Sequence, residues 1–375
     1  MREAFKGITV LEVGTMTPGK YTGFLLAGWG AAAIRVERPG MPDSVSTEDL
    51  ALNRGKRSIA LNLRADAGRE VLLRLAERAE VLMESYRPGV VGRLGIDYDE
   101  VRQRNAGIVY CSLSGFGQDG PDRLRPAFDL AFLAESGLAH LLSQGDATPT
   151  PPRTYLADAV SGLMAAFAIA AALRQREATG RGTHIDLSML ESAFSLLAAS
   201  HGTIGDNGRS AGAETEPWSR RPAYDIYEAG DGRHIAISAA RPASCQALFE
   251  HLGRPELAAK GLRPAPEGQE AADFLKSAFA AKPAAAWIES LSALDIEIAR
   301  VNTPDEAFAL PQLTARGLVV ESVHPQAGEL LQIGLPAGGE AGAPAPAIGA
   351  DTDAILAELG YDDVTIAALR TEGAI

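Results

Sequence analysis

Apolar residues recur along this chain in two rhythms. Short runs at 8–13, 31–37, 58–63, 80–85 and 108–117 are almost wholly apolar, and longer amphipathic segments such as 66–79 and 98–105 lie between them. Compact apolar runs read as strands buried on both faces, and the amphipathic segments read as helices. The opening is a strand at 8–13, the loop GTMTPGK (14–20), a helix at 21–30 and a strand at 31–37. That βαβ order predicts parallel strands with a right-handed crossover. Continued alternation through 190 predicts an α/β fold with a large doubly wound, Rossmann-like parallel sheet.

The rhythm changes in the second half. A hairpin is expected at 223–239, turning at Gly230, Asp231 and Gly232, with helices at 241–252, 270–280 and 284–292. These elements make a smaller α+β domain. A strand pattern returns at 319–323, the Pro/Gly/Ala stretch 335–349 is a loop, and helices at 351–359 and 364–369 close the chain. The division expected is 1–201 for the N-terminal part of the large domain, 202–222 for a linker or lid, 223–317 for the small domain and 318–375 for a return to the large one.

One stretch stands apart. From 157 to 176 only Gly162 interrupts an alanine-rich helix that stops at Gly180 and Gly182, leaving a slim cylinder that other elements can approach closely. Asp158 falls in its first turn, where free N–H groups and the helix dipole favour a carboxylate. Taken alone, Asp158 reads first as an N-cap or first-turn residue that only stabilises the helix, and its surroundings reverse that order.

Composition narrows the field. An apolar fraction of 46% over 375 residues supports sizeable cores, and a net charge of −13 argues against nucleic-acid binding. Cys111 and Cys245 make no disulfide framework, the N-terminus lacks the apolar core of a signal peptide, and the 162–173 apolar run is short for a bilayer. A cytoplasmic protein, with no membrane partner, is expected.

Several chemistries find no support. The chain has no P-loop and no G-x-S-x-G elbow. Its six histidines lack metal-ligand spacing, so no metal is expected. The loop after the first strand lacks a dinucleotide fingerprint, and Gly115, Gly117 and Gly120 are followed by Pro121 where a helix should open, so no nicotinamide cofactor is expected either. What remains is a concentration of cations, Arg35, Arg38, Arg54, Lys56, Arg57 and Arg87, readable as a phosphate-ligand site or as a solvated basic face.

Several runs carry a resemblance: NRGKRSIALNL (53–63) continuing to YDE at 100, IVYCSLSGFGQDGP, RPAFDLAF, then Asp158 followed by GRGTHIDLSML. IRVERPG near the start, YDIYEAGDGRHIAI and the final ILAELGYDDVTIAALRTEGAI extend it over nearly the whole chain. In this order and spacing the chain resembles the family III CoA-transferases (CaiB/BaiF), which also contain the α-methylacyl-CoA racemases. The resemblance implies an interlocked, ring-like homodimer acting on acyl-CoA and small carboxylic acids, with Asp158 as the catalytic carboxylate. It places Arg38, Lys56, Arg57, Tyr86, Arg87, Gly115 and Gly117 near CoA, and Thr15, Met16 and Thr17 in the loop flanking the thioester. Phe128, Asp129 and Arg221 fall in the substrate pocket.

The resemblance forks on mechanism. In the transferases the Asp attacks the thioester and forms an aspartyl anhydride. In the racemases the Asp exchanges the α-proton together with a His that aligns with Phe128, and the supporting Glu falls close to Arg241. Neither position carries a proton-transfer group here, which favours CoA transfer over racemisation or another acyl-CoA isomerisation. A catalytically silent CoA-binding relative would have little reason to keep Asp158. Arg220, Arg221 and Arg241 are candidates to bind the carboxylate of a dicarboxylic acyl group.

Overall fold

The computed structural model describes residues 3–14, 16–43, 45–143, 149–199, 221–340 and 342–375. Two compact units emerge, Met1–Ala199 with Pro311–Ile375, and Ser200–Leu310.

The first unit is built on six parallel strands: β1 (Thr9–Val13), β2 (Ala32–Glu37), β3 (Arg57–Ala60), β4 (Val81–Glu84), β5 (Val109–Ser114) and β6 (Thr183–Ser188). Their spatial order is β3-β2-β1-β4-β5-β6. The chain lays β2 and β3 on one side of β1, then crosses back to place β4 on the other. The loops after β1 and β4 therefore diverge, and the crevice this opens is where such sheets receive ligands.

Both faces of the sheet are covered, as the apolar runs predict. Leu11, Ile34, Leu82 and Tyr110 pack on one face with Leu72, Ile355 and Leu356. Val10, Val81, Met83, Val109 and Cys111 pack on the other with Phe24, Ala165 and Ile169. Burial pushes the Cys111 thiol up to about 12, so it is a packing residue and not a nucleophile.

Four helices position the site: α1 (Thr17–Gly28), α2 (Thr47–Leu52), α3 (Asp129–Glu135) and α4 (Leu156–Thr179). Helix α1 begins inside the segment expected as a loop, because Pro18 in the first turn is pre-set for a helix and needs no N–H partner. Helix α2 was not expected. It is short, yet Ser46 caps it by accepting from the Asp49 N–H at 3.1 Å.

Helix α4 is long and apolar enough, by length and composition alone, to cross a membrane. Here more than half of its apolar stretch is buried inside the fold. Gly162 explains how closely it is packed: a Cβ there would lie 2.9 Å from the Pro18 carbonyl and from the Tyr21 ring. Helices α1 and α4 thus meet backbone to backbone, tied by the Thr22 hydroxyl donating to Pro18 O at 2.8 Å and Gly162 O at 3.2 Å.

Strands β7 (Tyr224–Glu228), β8 (His234–Ser238) and β9 (Ile298–Arg300) form an antiparallel sheet in the second unit. Its core gathers Phe249, Leu275, Phe279 and Trp287 from three helices. Returning to the first unit, β10 (Val319–His324) pairs antiparallel with β11 (Gly328–Ile333). Strand β11 was missed in the sequence because GELLQI alternates only weakly.

Candidate active site

Helix α4 has no side-chain cap of its own: its N-cap is Tyr155. The free N–H of Asp158 is taken up from another element, donating to Asp129 Oδ1 at 3.0 Å. Asp129 is the first residue of α3 and is itself buried. A residue expected in the substrate pocket therefore also fixes the backbone that carries the nucleophile candidate.

Asp158 is 7% exposed. Burial above all, then the Asp129 and Glu48 charges, push its carboxyl up to about 6, against a hydrogen bond from Thr17 that pulls it down. A carboxylate with that value is mostly ionised at neutral pH and remains basic enough to attack a carbonyl or hold a proton.

The groups around it come from α1 and α2. The Thr17 hydroxyl donates to Glu48 Oε1 at 3.2 Å and also lies within reach of Asp158. It has one proton, so it serves as donor to only one carboxylate at a time. Lys20 Nζ binds Glu48 at 2.9 Å and Asp49 at 2.7 Å. Lys20, Glu48 and Asp49 were not singled out in the sequence. The signal available for the two acids was the N-cap pattern S-T-E-D, which reads as local helix chemistry.

Lys20 and Asp49 also line a cavity of about 470 Å³. Arg35, Arg38 and Asn53 contribute to its wall, with Met41, Pro325 and Ile348 supplying apolar surface. The chain of polar contacts Asp158–Thr17–Glu48–Lys20 thus runs from the carboxylate to the cavity edge. His324 lines the far side, with Nε2 donating to Ala345 O at 3.1 Å and Nδ1 accepting from Gln326 and Ala327, so it holds its own hairpin.

The predicted CoA residues separate into two groups. Arg38 and Arg87 are exposed, and Tyr86 is half-buried, its N–H donating to Glu84 at 2.8 Å. Glu84 is a buried carboxyl that burial pushes up to about 7. Gly14, at φ +119°, packs against Ser85, where a Cβ would meet the hydroxyl at 2.6 Å, so the first residues after β1 and β4 are in contact before their loops part. Gly117, at φ +91°, binds Ser114 Oγ through its N–H, and Gly115 passes against the Phe132 ring.

Lys56 and Arg57 are placed differently. The Lys56 side chain is wholly buried, with Nζ 2.6 Å from Glu12 Oε2 and 2.8 Å from the Lys20 carbonyl. Burial lowers its ammonium to about 8. Arg57 grips both carboxylate oxygens of Glu358 at 2.8 and 2.9 Å, tying β3 to the helix Thr352–Glu358. Both are engaged in ion pairs and neither lines that cavity, but both line a smaller one of about 290 Å³ with Gly28, Gly30 and Gly342.

Met16 is the N-cap of α1, and Phe128, immediately before Asp129, is 74% exposed. Thr15, Arg220 and residues 202–220 of the linker or lid expected over 202–222 lie outside the described residues. Arg221 pairs with Tyr224 in an isolated bridge of the second unit. Arg241 is engaged by Glu297 at 2.6 Å and Asp295 at 3.7 Å. Among the described residues no grouping of His, Cys, Asp and Glu able to hold a metal occurs.

Comparison with known proteins decides the family. The model of CoA-transferase family III matches residues 5–352. The chain belongs to CoA-transferase family III. It is 31% identical over 339 residues to an acetyl-CoA:oxalate CoA-transferase of Acetobacter aceti, covering 85% of this chain and 86% of that protein. It is also 31% identical to the human alpha-methylacyl-CoA racemase, covering 98% of this chain and 97% of the racemase. A CAIB/BAIF family protein from Brucella suis superposes with a TM-score of 0.82 at 27% identity, over 96% of this chain and all of that one. The family III fold and an enzymatic chemistry of CoA thioesters follow from this.

Proposed function

We propose that the protein transfers CoA from an acyl-CoA to a free carboxylic acid, with Asp158 as the covalent nucleophile. The observation that carries this reading is the Asp158 carboxylate itself, buried in the first turn of α4 and held there by Asp129. An Asp158 oxygen attacks the thioester carbonyl, the C–S bond breaks, and CoA leaves as thiolate with the electron pair, giving a mixed anhydride. The thiolate attacks the aspartyl carbonyl, releasing the first acid and leaving an aspartyl-CoA thioester. The incoming carboxylate displaces CoA to form a second anhydride. Attack of the thiolate on its acyl carbon then releases the new acyl-CoA and restores Asp158.

Arg38 at the cavity wall and Arg87 after β4 are the exposed cations suited to CoA phosphates, with Tyr86, Gly115 and Gly117 shaping the loops between them. Exposed apolar side chains support a homodimer: Phe167 is 71% exposed on α4, with Leu163 one turn before it, and Phe194 is 61% exposed on the helix Met189–Ser195, which packs on α4. Light scattering at micromolar concentration is expected to give twice the chain mass, and a monomer would remove that part of the reading. Incubation with an acyl-CoA, followed by intact-protein mass measurement, is expected to show a CoA-sized adduct on the wild type and none on Asp158→Asn. An unchanged adduct on the variant would end the assignment.

A second reading is α-proton exchange. Phe128 cannot carry a proton, but Glu48 is a second carboxylate whose charge reaches Asp158, and a relative named as a racemase matches the full length. Deuterium appearing at the α-carbon of a 2-methylacyl-CoA, without any new thioester, is the outcome this reading requires.

A further inference from the structure

The groups beside Asp158 constrain the acyl chain that the site accepts. Glu48 is fixed from two sides, by Lys20 Nζ at 2.9 Å and the Thr17 hydroxyl at 3.2 Å. Lys20 is largely buried and also bound to Asp49, so its charge is already balanced by two carboxylates. Asp129 accepts the Asp158 N–H at 3.0 Å, and Glu48 shares the Thr17 hydroxyl with Asp158, so both ionisable neighbours along these contacts are acids. Phe128, immediately before Asp129, is 74% exposed, and Tyr155, immediately before α4, is 62% exposed.

We infer that Glu48 is a specificity-determining residue that restricts the site to acyl groups bearing no negative charge within about four carbons of the thioester. The inference rests on Asp158 as the carboxylate that meets the acyl group. A second carboxylate on the substrate would have to enter the joint field of Glu48 and Asp129 in a partly dehydrated crevice. Like-charge juxtaposition of this kind is how a site rejects an otherwise fitting ligand. An uncharged chain meets no such penalty.

The test uses the purified full-length protein with butyryl-CoA and succinyl-CoA as donors, each with the same monocarboxylic acceptor. For the wild type, kcat/KM is expected to favour butyryl-CoA by roughly tenfold or more, a modest free-energy difference. Glu48→Gln, which keeps shape and the Thr17 bond, is expected to reduce that ratio several-fold, and Glu48→Asp to preserve it. A wild-type preference for succinyl-CoA overturns the inference while leaving CoA transfer standing. An unchanged ratio in a Glu48→Gln protein that melts like the wild type overturns it as well. Absence of turnover with either donor removes the Asp158 reading and this inference with it.

Discussion

Asp129 accepts the backbone N–H of Asp158 through Oδ1 at 3.0 Å, and its charge simultaneously raises the Asp158 carboxyl. One side chain thus acts on the nucleophile candidate through geometry and through field. Two substitutions separate these effects. Asp129→Asn keeps an acceptor but removes the charge, so the acid limb of the kcat/KM profile is expected to move to lower pH with stability little changed. Asp129→Ala leaves the helix N–H unpaired and is expected to cost about 1 kcal/mol in urea unfolding as well. An unmoved acid limb in both variants would show that Asp129 serves only as a cap.

The raised Asp158 carboxyl has a consequence for stability. Its folded value of about 6 lies above the ordinary Asp value, so the native state holds this proton more tightly than the unfolded chain. Stability from this group is fully present below the unfolded value and is lost as pH rises from about 4 to about 6. Asp158→Asn, which carries no charge to bury, is therefore expected to be more stable than the wild type at pH 7.5, by about 2 kcal/mol. The gain should shrink at pH 5. Equal unfolding midpoints at pH 7.5 would contradict the raised value.

Much of this was legible in the sequence, for physical reasons that differ between elements. Strands β1 to β5 are largely buried, so their apolar runs were visible without tertiary information, whereas β6 at the sheet edge alternates between exposed and half-buried positions. The Asp158 helix announced itself through its alanine content and its Gly180 stop. The roles of the cations were not legible. Lys56 and Arg57 are neighbours in the chain, yet one points inward to Glu12 and the other outward to Glu358. Strand alternation puts adjacent residues on opposite faces, and no local pattern reveals which acid waits there. Glu48 was hidden for the same reason: a first-turn acid on a six-residue helix becomes part of the site only when α1 brings Thr17 and Lys20 to it.

That contrast between neighbouring cations is measurable. Lys56→Met leaves Glu12 buried without its ammonium partner and is expected to destabilise by about 3–5 kcal/mol. Arg57→Met breaks a pair in which Glu358 is 61% exposed and is expected to cost about 1 kcal/mol or less. Equilibrium urea unfolding of the two variants checks the order. A larger loss for Arg57 would mean that the Glu12 pair is not what holds β3 to β1.

Gly162 is expected to tolerate no side chain. An added methyl would meet the Pro18 carbonyl and the Tyr21 ring at 2.9 Å, so Gly162→Ala must separate α1 from α4. The gain in helix propensity, about 1 kcal/mol, is expected to be outweighed by overpacking of about 1–3 kcal/mol. Because Thr17 opens α1, turnover should fall more than stability does. A stabilised variant with full activity would show that the two helices can part without moving Thr17 from Asp158.

The most direct measurement is a mass-spectrometric assay in deuterated buffer, in which the protein is mixed with butyryl-CoA, succinyl-CoA, a 2-methylacyl-CoA and a panel of free acids. Formation of new acyl-CoA thioesters by the wild type, abolished to about one part in a thousand or less by Asp158→Asn, is the expected result. New thioesters that persist in Asp158→Asn, or a one-unit mass gain on the 2-methylacyl-CoA with no new thioester, would contradict covalent CoA transfer through Asp158.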